Sequence, residues 1–292
     1  MCDEQILEEM TEYLNRTGTV TRRELGALSA GAGLAMMLPH AANAQAVTET
    51  DVEIRTPDGV ADCYFVHPST GTHPGVVVWP DILGLRPAFR QMGRRLAESG
   101  YSVLVVNPFY RGKRAPVVPE GATFQDPATR ETVMPLAQAL NAGTHFTDAR
   151  AFVDWLDTQS AVAKDRKMGT IGYCMGGPMV MRTAGERADR VGAGGTFHGG
   201  GLVSDAADSP HLQIPRMDGR FLLAIAANDD MREPEAKNVL RRSFAEAGLP
   251  AEIEVYAGAQ HGWCPPDSAV YNEAQAERAW SRLLALFDEA LA

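Results

Sequence analysis

From residue 52 onward the apolar positions fall into two patterns. Short continuous apolar runs, as in a strand buried on both faces, occur at 75–80 (GVVVWP), 101–108 (YSVLVVNP), 167–172, 191–197, 221–227 and 251–256. Between them, apolar residues recur at three- and four-residue spacing and predict amphipathic helices. The clearest spans 87–99, where Phe89, Met92, Leu96 and Ala97 form the apolar set and Gly100 ends the helix. Others are predicted over 146–159, with Phe152, Val153, Trp155 and Leu156 inward, and over 176–188, 234–247 and 271–291. Ahead of them, 52–68 reads as two short strands around a Pro57-Asp58-Gly59 turn, since Asp-Gly is a strong hairpin signal. Alternating strands and helices predict an α/β protein with a mostly parallel central sheet and helices on both faces. Residues 109–143 have weak periodicity and many prolines and glycines. They are expected to form a long excursion over the site. No internal repeat or linker divides the chain, so 45–292 is read as one domain.

Composition changes this picture little. The 292 residues are enough for a sizeable core, and the net charge of −10 argues against a nucleic-acid partner, which needs clustered Lys and Arg. Four cysteines are too few for a disulfide scaffold. The N-terminal stretch does change it. Arg22-Arg23, an apolar Gly/Ala-rich run over 26–38 and Ala42-Asn43-Ala44 have the order of a signal peptide, here with a twin-arginine character. The run is too short to span a bilayer. Residues 1–44 are therefore expected to be a leader, with export to the periplasm and no membrane insertion once it is removed. An uncleaved N-terminal helix would instead leave the protein cytoplasmic.

Candidate chemistry concentrates at Gly172-Tyr173-Cys174-Met175-Gly176, the form G-x-nucleophile-x-G. Small residues two before and two after let strand and helix approach closely around a strained turn. The helix N-terminus that follows favours a thiolate and supplies the Met175 N–H to an oxyanion. Such a cysteine needs a base and a group to orient the base. His261, in the Gly-rich loop after the last strand, lies downstream of both Cys174 and an acidic strand end. Asp229 or Asp230 stands at that strand end, with Asp229 favoured as nearer the strand. His198 follows another strand and lines the same edge.

These residues resemble the dienelactone hydrolase family over roughly 52–291. The signatures are Gly172-Tyr173-Cys174-Met175-Gly176-Gly177, then ANDD (227–230), AGAQHGW (257–263), and VVVWPDILGLRP (76–87) with RLAESGYSVLVVNPFYR (95–111). The resemblance implies the α/β-hydrolase fold and a carboxylic ester or lactone hydrolase with no cofactor and no metal. By it, Cys174 is the nucleophile, His261 the base and acid, and Asp229 its orienter. The amides of Ile82 and Met175 form the oxyanion hole. Asp81 takes the place of a family glutamate involved in forming the thiolate. Arg130 matches one of the family's substrate-gripping arginines. Pro265 stands where a second is expected, and His198 replaces an aromatic hydroxyl. The partner is a small-molecule ester or lactone, one less dependent on positive charge. The oligomeric state is not legible.

Three other readings of Cys174 belong beside this one. It pairs with Cys264 in a redox protein, or joins Cys264 and His261 around a metal, or lies in a non-catalytic binding protein on the same fold.

Overall fold

The computed structural model describes residues 38–39 and 44–292. The expected leader lies outside the described residues, apart from Leu38, Pro39 and Ala44. The chain opens with an antiparallel hairpin, β1 (Val47–Thr56) and β2 (Gly59–Pro68), closed where Thr56 pairs with Gly59. The turn is the predicted one. Gly59 takes φ 143°, a conformation that suits glycine. β1 begins five residues earlier than the apolar pattern suggested, because Val47–Asp51 is mostly exposed.

Then come β3 (Gly75–Trp79), β4 (Ser102–Val105), β5 (Met168–Tyr173), β6 (Val191–Phe197), β7 (Arg220–Ala226) and β8 (Ala251–Tyr256). They form one eight-stranded sheet in the order β1-β2-β4-β3-β5-β6-β7-β8. The first two pairings are antiparallel and the remainder parallel. The continuous apolar runs follow from burial on two faces. Val76 and Val78 of β3 pack into one cluster with Phe89, Leu96, Leu283 and Phe287. Val77 and Trp79 pack into another with Phe152, Val153, Leu156 and Val180. The first cluster lies under α1 (Pro87–Glu98) and α7 (Glu273–Ala290), the second under α3 (Ala142–Thr158) and α4 (Gly176–Glu186). α6 (Ala236–Glu246) adds Leu240 and Phe244 against β7.

Three elements depart from the sequence reading. The excursion contains a helix, α2 (Pro127–Gln138). Its pattern is faint because only Thr129 and Val133 are buried, and Pro127 sits at the first turn, where its missing N–H costs nothing. α3 starts at Ala142, four residues early, because Asn141 and Thr144 form a reciprocal capping box. Asp229 and Asp230 lie on a short helix, α5 (Ala227–Arg232), rather than at the strand end itself.

The junction from β5 to α4 is the tightest place in the fold. Cys174 takes φ 51°, left-handed backbone that a residue with a side chain adopts only under constraint. A Cβ on Gly172 would lie 2.4 Å from the Gly176 carbonyl oxygen, and one on Gly176 would lie 2.3 Å from the Trp79 carbonyl oxygen. Both contacts are to backbone, which has little room to yield. Gly176→Ala is therefore expected to lower stability by about 1–3 kcal/mol through overpacking. The urea midpoint measures this, and an unchanged midpoint would show that the contact relaxes.

Candidate active site

The loops after β5, β7 and β8 meet at the C-terminal edge of the parallel strands, where α/β sheets gather their functional groups. Cys174 is buried and its backbone is pinned on both sides. Its N–H donates to Phe197 O at 3.1 Å, and its carbonyl accepts from Gly177 N at 3.1 Å and Gly200 N at 3.4 Å. The loop after β8 is fixed from α5: His261 N–H donates to Asn228 Oδ1 at 2.8 Å. Its Nδ1 lies 2.7 Å from Asp229 Oδ2. Since an ionised carboxylate only accepts, Nδ1 carries a proton. The second polar partner of the ring is the Cys174 sulfur.

Of the two adjacent aspartates, the structure brings Asp229 to His261. Asp229 also accepts from Arg232 Nη2 at 2.5 Å. Asp230 turns away and pairs with Lys237. Burial alone would push the His261 pKa down. The charge of a Cys174 thiolate, then the Asp229 carboxylate, outweigh that and raise it from 6.5 to about 10. The imidazolium is thus held by two negative partners.

Ile82, Cys174 and Met175 line one cavity. Neither the Ile82 amide nor the Met175 amide donates to a carbonyl among the described residues. Asp81 lines a second cavity with Cys174, His198 and His261. Its carboxylate accepts from Arg86 Nη1 at 2.7 Å and Nη2 at 2.9 Å, and from Leu83 N at 2.9 Å. Arg86 also donates to both oxygens of Asp267, at 2.7 and 3.0 Å. Buried Arg86 is thus saturated by two carboxylates, and these hold it more firmly protonated than an ordinary arginine despite its desolvation.

His198 reaches the site as anticipated. It is 1 % exposed, has φ 42°, and neither ring nitrogen has a hydrogen-bond partner. Its ring packs edge-on against His261 and Trp263, each at 5.1 Å between centroids. Burial, and then the neighbouring His261 charge, depress its pKa well below 6.5, so it is neutral. Arg130 stands one layer back. Its Nη1 donates to the carbonyls of Phe124 and Gln125, at 3.2 and 2.7 Å, and so ties down the loop that covers the second cavity.

Cys174 sits between the two cavities. One, of about 80 Å³, lies toward Asp81, Phe124 and His198; the other, of about 520 Å³, runs under α2 toward Met134, Leu140 and Arg182. Sequence reasoning missed Arg86, Asp267 and Asn228. Arg86 and Asp267 are 181 positions apart, and no local pattern couples them. Asn228 lies beside Asp229 in the ANDD motif, and that adjacency was its one signal. The redox and metal readings find little to build on. Cys63, Cys174 and Cys264 are each free and buried. Among the described residues, no three His, Cys, Asp or Glu side chains gather as a metal site requires.

A sulfur on a strained turn after β5, a carboxylate after β7 and a histidine after β8, on a sheet of this order, define an α/β-hydrolase fold. Comparison with known proteins narrows the class. The chain belongs to the dienelactone hydrolase family, whose model matches residues 61–291. It is 26 % identical over 247 residues to a carboxymethylenebutenolidase of Rhodococcus opacus, covering 81 % of this chain and 90 % of that one. Among solved structures it resembles a dienelactone hydrolase-like promiscuous phosphotriesterase, P91, from metagenomic libraries. The TM-score is 0.71 at 22 % identity, covering 85 % of this chain and all of the other. A dienelactone hydrolase of Anabaena variabilis superposes with TM-score 0.60 at 16 % identity, over 84 % and 99 % of the two chains.

The elevated His261 pKa makes a measurable claim. The group's folded pKa is raised, so what it contributes to stability is complete below 6.5 and fades as pH rises toward about 10. In the wild type, the His261 ring resonances should not titrate between pH 6 and 8. Cys174→Ala removes the largest raising charge, and the ring should then titrate well below 10 when followed by NMR. A wild-type transition near 6.5 would refute the pairing.

Proposed function

We propose that this family member cleaves an ester or lactone through a Cys174–His261–Asp229 triad and a thioester acyl-enzyme. One observation carries the reading: a cysteine held at φ 51° faces an imidazole whose far nitrogen is fixed by a buried carboxylate. The sulfur of Cys174 attacks the carbonyl carbon and the carbonyl π pair moves to oxygen. The resulting oxyanion accepts from the Ile82 and Met175 amides, each such donor being worth about 2.7–4 kcal/mol of barrier. Collapse expels the alkoxide, which takes the proton from His261 Nε2. Water then gives a proton to the neutral imidazole and attacks the thioester. A second tetrahedral oxyanion collapses to the carboxylic acid and returns the thiolate.

Asp229 keeps the proton on Nδ1 and steadies the imidazolium, as a triad carboxylate does. Asp81, its charge balanced by Arg86, lines the cavity beside Cys174 and His261, and the reading gives it a part in forming the thiolate as a proton acceptor. The Rhodococcus relative's name points to a lactone as one substrate to try.

The test is turnover of a short-chain aryl ester and a lactone panel by purified protein, with and without a thiol alkylator. Cys174→Ala should lower kcat by roughly a thousandfold or more. Mass spectrometry of briefly quenched wild type should find the acyl group on Cys174. Full activity in the alanine variant, or an acyl group elsewhere, would overturn the triad.

Export of the chain is part of the same proposal, on the pattern of residues 21–46 alone. Protein recovered from the periplasm of an expressing bacterium should begin near Gln45 when its N-terminus is sequenced. Recovery in the cytoplasm with residues 1–44 intact would reject it.

A further inference from the structure

The larger cavity has a floor with a simple periodicity. Met175, Pro178 and Arg182 line it, at spacings of three and four, so they share one face of α4. The cavity therefore follows the helix away from Cys174. Arg182 comes six residues after α4 begins at Gly176, a rise of roughly 9 Å along the helix. The walls between are largely apolar: Met134 and Ala137 of α2, Leu140, and Pro210.

At the far end is a cation whose counter-charge is loose: the Asp208 side chain, which lines the same cavity. Arg182 is 7 % exposed. Its Nη1 lies 2.9 Å from His145 Nδ1 and its Nη2 donates to the Asp208 carbonyl at 2.8 Å. The Asp208 carboxylate stands 4.0 Å away and is mostly solvated. Nε has no partner. A guanidinium has five N–H donors in a planar fork, and two are used here. His145 is equally buried, and burial, with Arg182 and Arg111 nearby, depresses its pKa to about 3. It is therefore neutral. Arginine can only donate, so Nδ1 accepts and the ring proton sits on Nε2, a buried donor that also has no partner.

The other guanidiniums near the nucleophile are differently employed. Arg86 is saturated by Asp81 and Asp267, and Arg130 donates to loop carbonyls. Burying a cation whose only anion is distant and solvated is costly, and burial does lower the Arg182 pKa, with Asp208 only partly opposing.

We propose that Arg182, with His145 beside it, is the anion-recognising end of the substrate site, and that the substrate is an extended ester carrying a carboxylate remote from its scissile carbonyl, at a distance on the order of that rise or less, since helical side chains lean toward the N-terminus. The apolar walls take the intervening chain, and the planar fork of Arg182 takes the carboxylate. This rests on the hydrolase reading above and adds to it the length and the charge of the substrate. Of the two cavities, the small one would hold the shorter moiety.

The experiment uses two series of aryl or alkyl esters built on linear chains of graded length. In one series the acyl part ends in a free carboxylate, in the other the alcohol part does. Each compound is paired with its methyl-capped neutral form. Wild type should favour the free acid at least tenfold in kcat/KM, in one series, at a chain length near the predicted span. Arg182→Gln should bring that ratio close to one, chiefly through KM, and Arg182→Lys should keep part of it. Should both variants fail to fold, competitive inhibition of the wild type by a free linear diacid against its diamide reads the same preference. A ratio near one in both series, or a diacid no better than its diamide, overturns the anion site. Turnover of the capped esters is read separately, so that hydrolysis without acid preference rejects this inference alone, and no hydrolysis of any ester rejects the reading beneath it.

Discussion

The site depends on a steric constraint at the end of β5. The chain must change from strand to helix within one residue, and three backbones meet where it does so. A Cβ on Gly172 would meet the Gly176 carbonyl and one on Gly176 the Trp79 carbonyl, so only glycine at both positions lets α4 lie this close to the ends of β3 and β5. A side chain at either glycine would push the helix off. Cys174, between them, has no room to adopt ordinary backbone angles and is held at φ 51°. That strain is of order 1–3 kcal/mol, and the two hydrogen bonds at its carbonyl and one at its N–H offset it. Met175, the next residue along the turn, lines the larger cavity together with Cys174. Backbone sterics, rather than any side-chain bond, thus decide where the sulfur stands.

The second requirement is electrostatic. His261 is buried, and burial disfavours its charged form. Two negative partners reverse this, and each arrives on a different loop. Asn228 and Asp229 are neighbours on α5, and together they grip the backbone and the ring of His261. One short helix therefore fixes both the position and the tautomer of the imidazole. On the opposite side, Arg86 bridges Asp81 to Asp267, which lies on the segment between His261 and α7. The charge on Asp81 is thereby balanced locally and does not add freely to the field at the sulfur. Arg86 and Asp81 are the buried pair of this set, Asp267 being exposed, and truncating one of the two leaves the other unpaired, which costs about 3–5 kcal/mol.

Much of this was legible in the chain. Strands buried on both faces must be continuous apolar runs, and β3, β5, β6, β7 and β8 fell within a residue or so of where those runs lie. Glycine spacing around Cys174 is a steric requirement written directly in sequence, and chain order placed Asp229 and His261 on successive loops. What stayed hidden was of two physical kinds. α2 gains little from burial, so it carries almost no periodic signal, and its prolines read as irregular chain. Arg86, Asp267, Arg182 and His145 act through pairs that only the fold creates. Local spacing cannot announce a bond across 181 positions. Nor could it separate Asp229 from Asp230, adjacent residues that helix geometry turns toward different partners.

His198 shows how burial shapes the field of the site. A charged imidazole 5.1 Å from His261 would repel it and undo what Asp229 achieves. Burial to 1 % exposure keeps His198 neutral instead, and the His261 charge presses in the same direction. His198 packs edge-on against both His261 and Trp263, and so covers one side of the imidazole. Charges interact more strongly where water is absent, so a neutral, poorly hydrated neighbour strengthens the attraction between His261, the sulfur and Asp229. The orphaned nitrogens of His198 are the cost of that arrangement, both being buried without a hydrogen-bond partner. The ring therefore acts on the charge of its neighbour, by staying neutral.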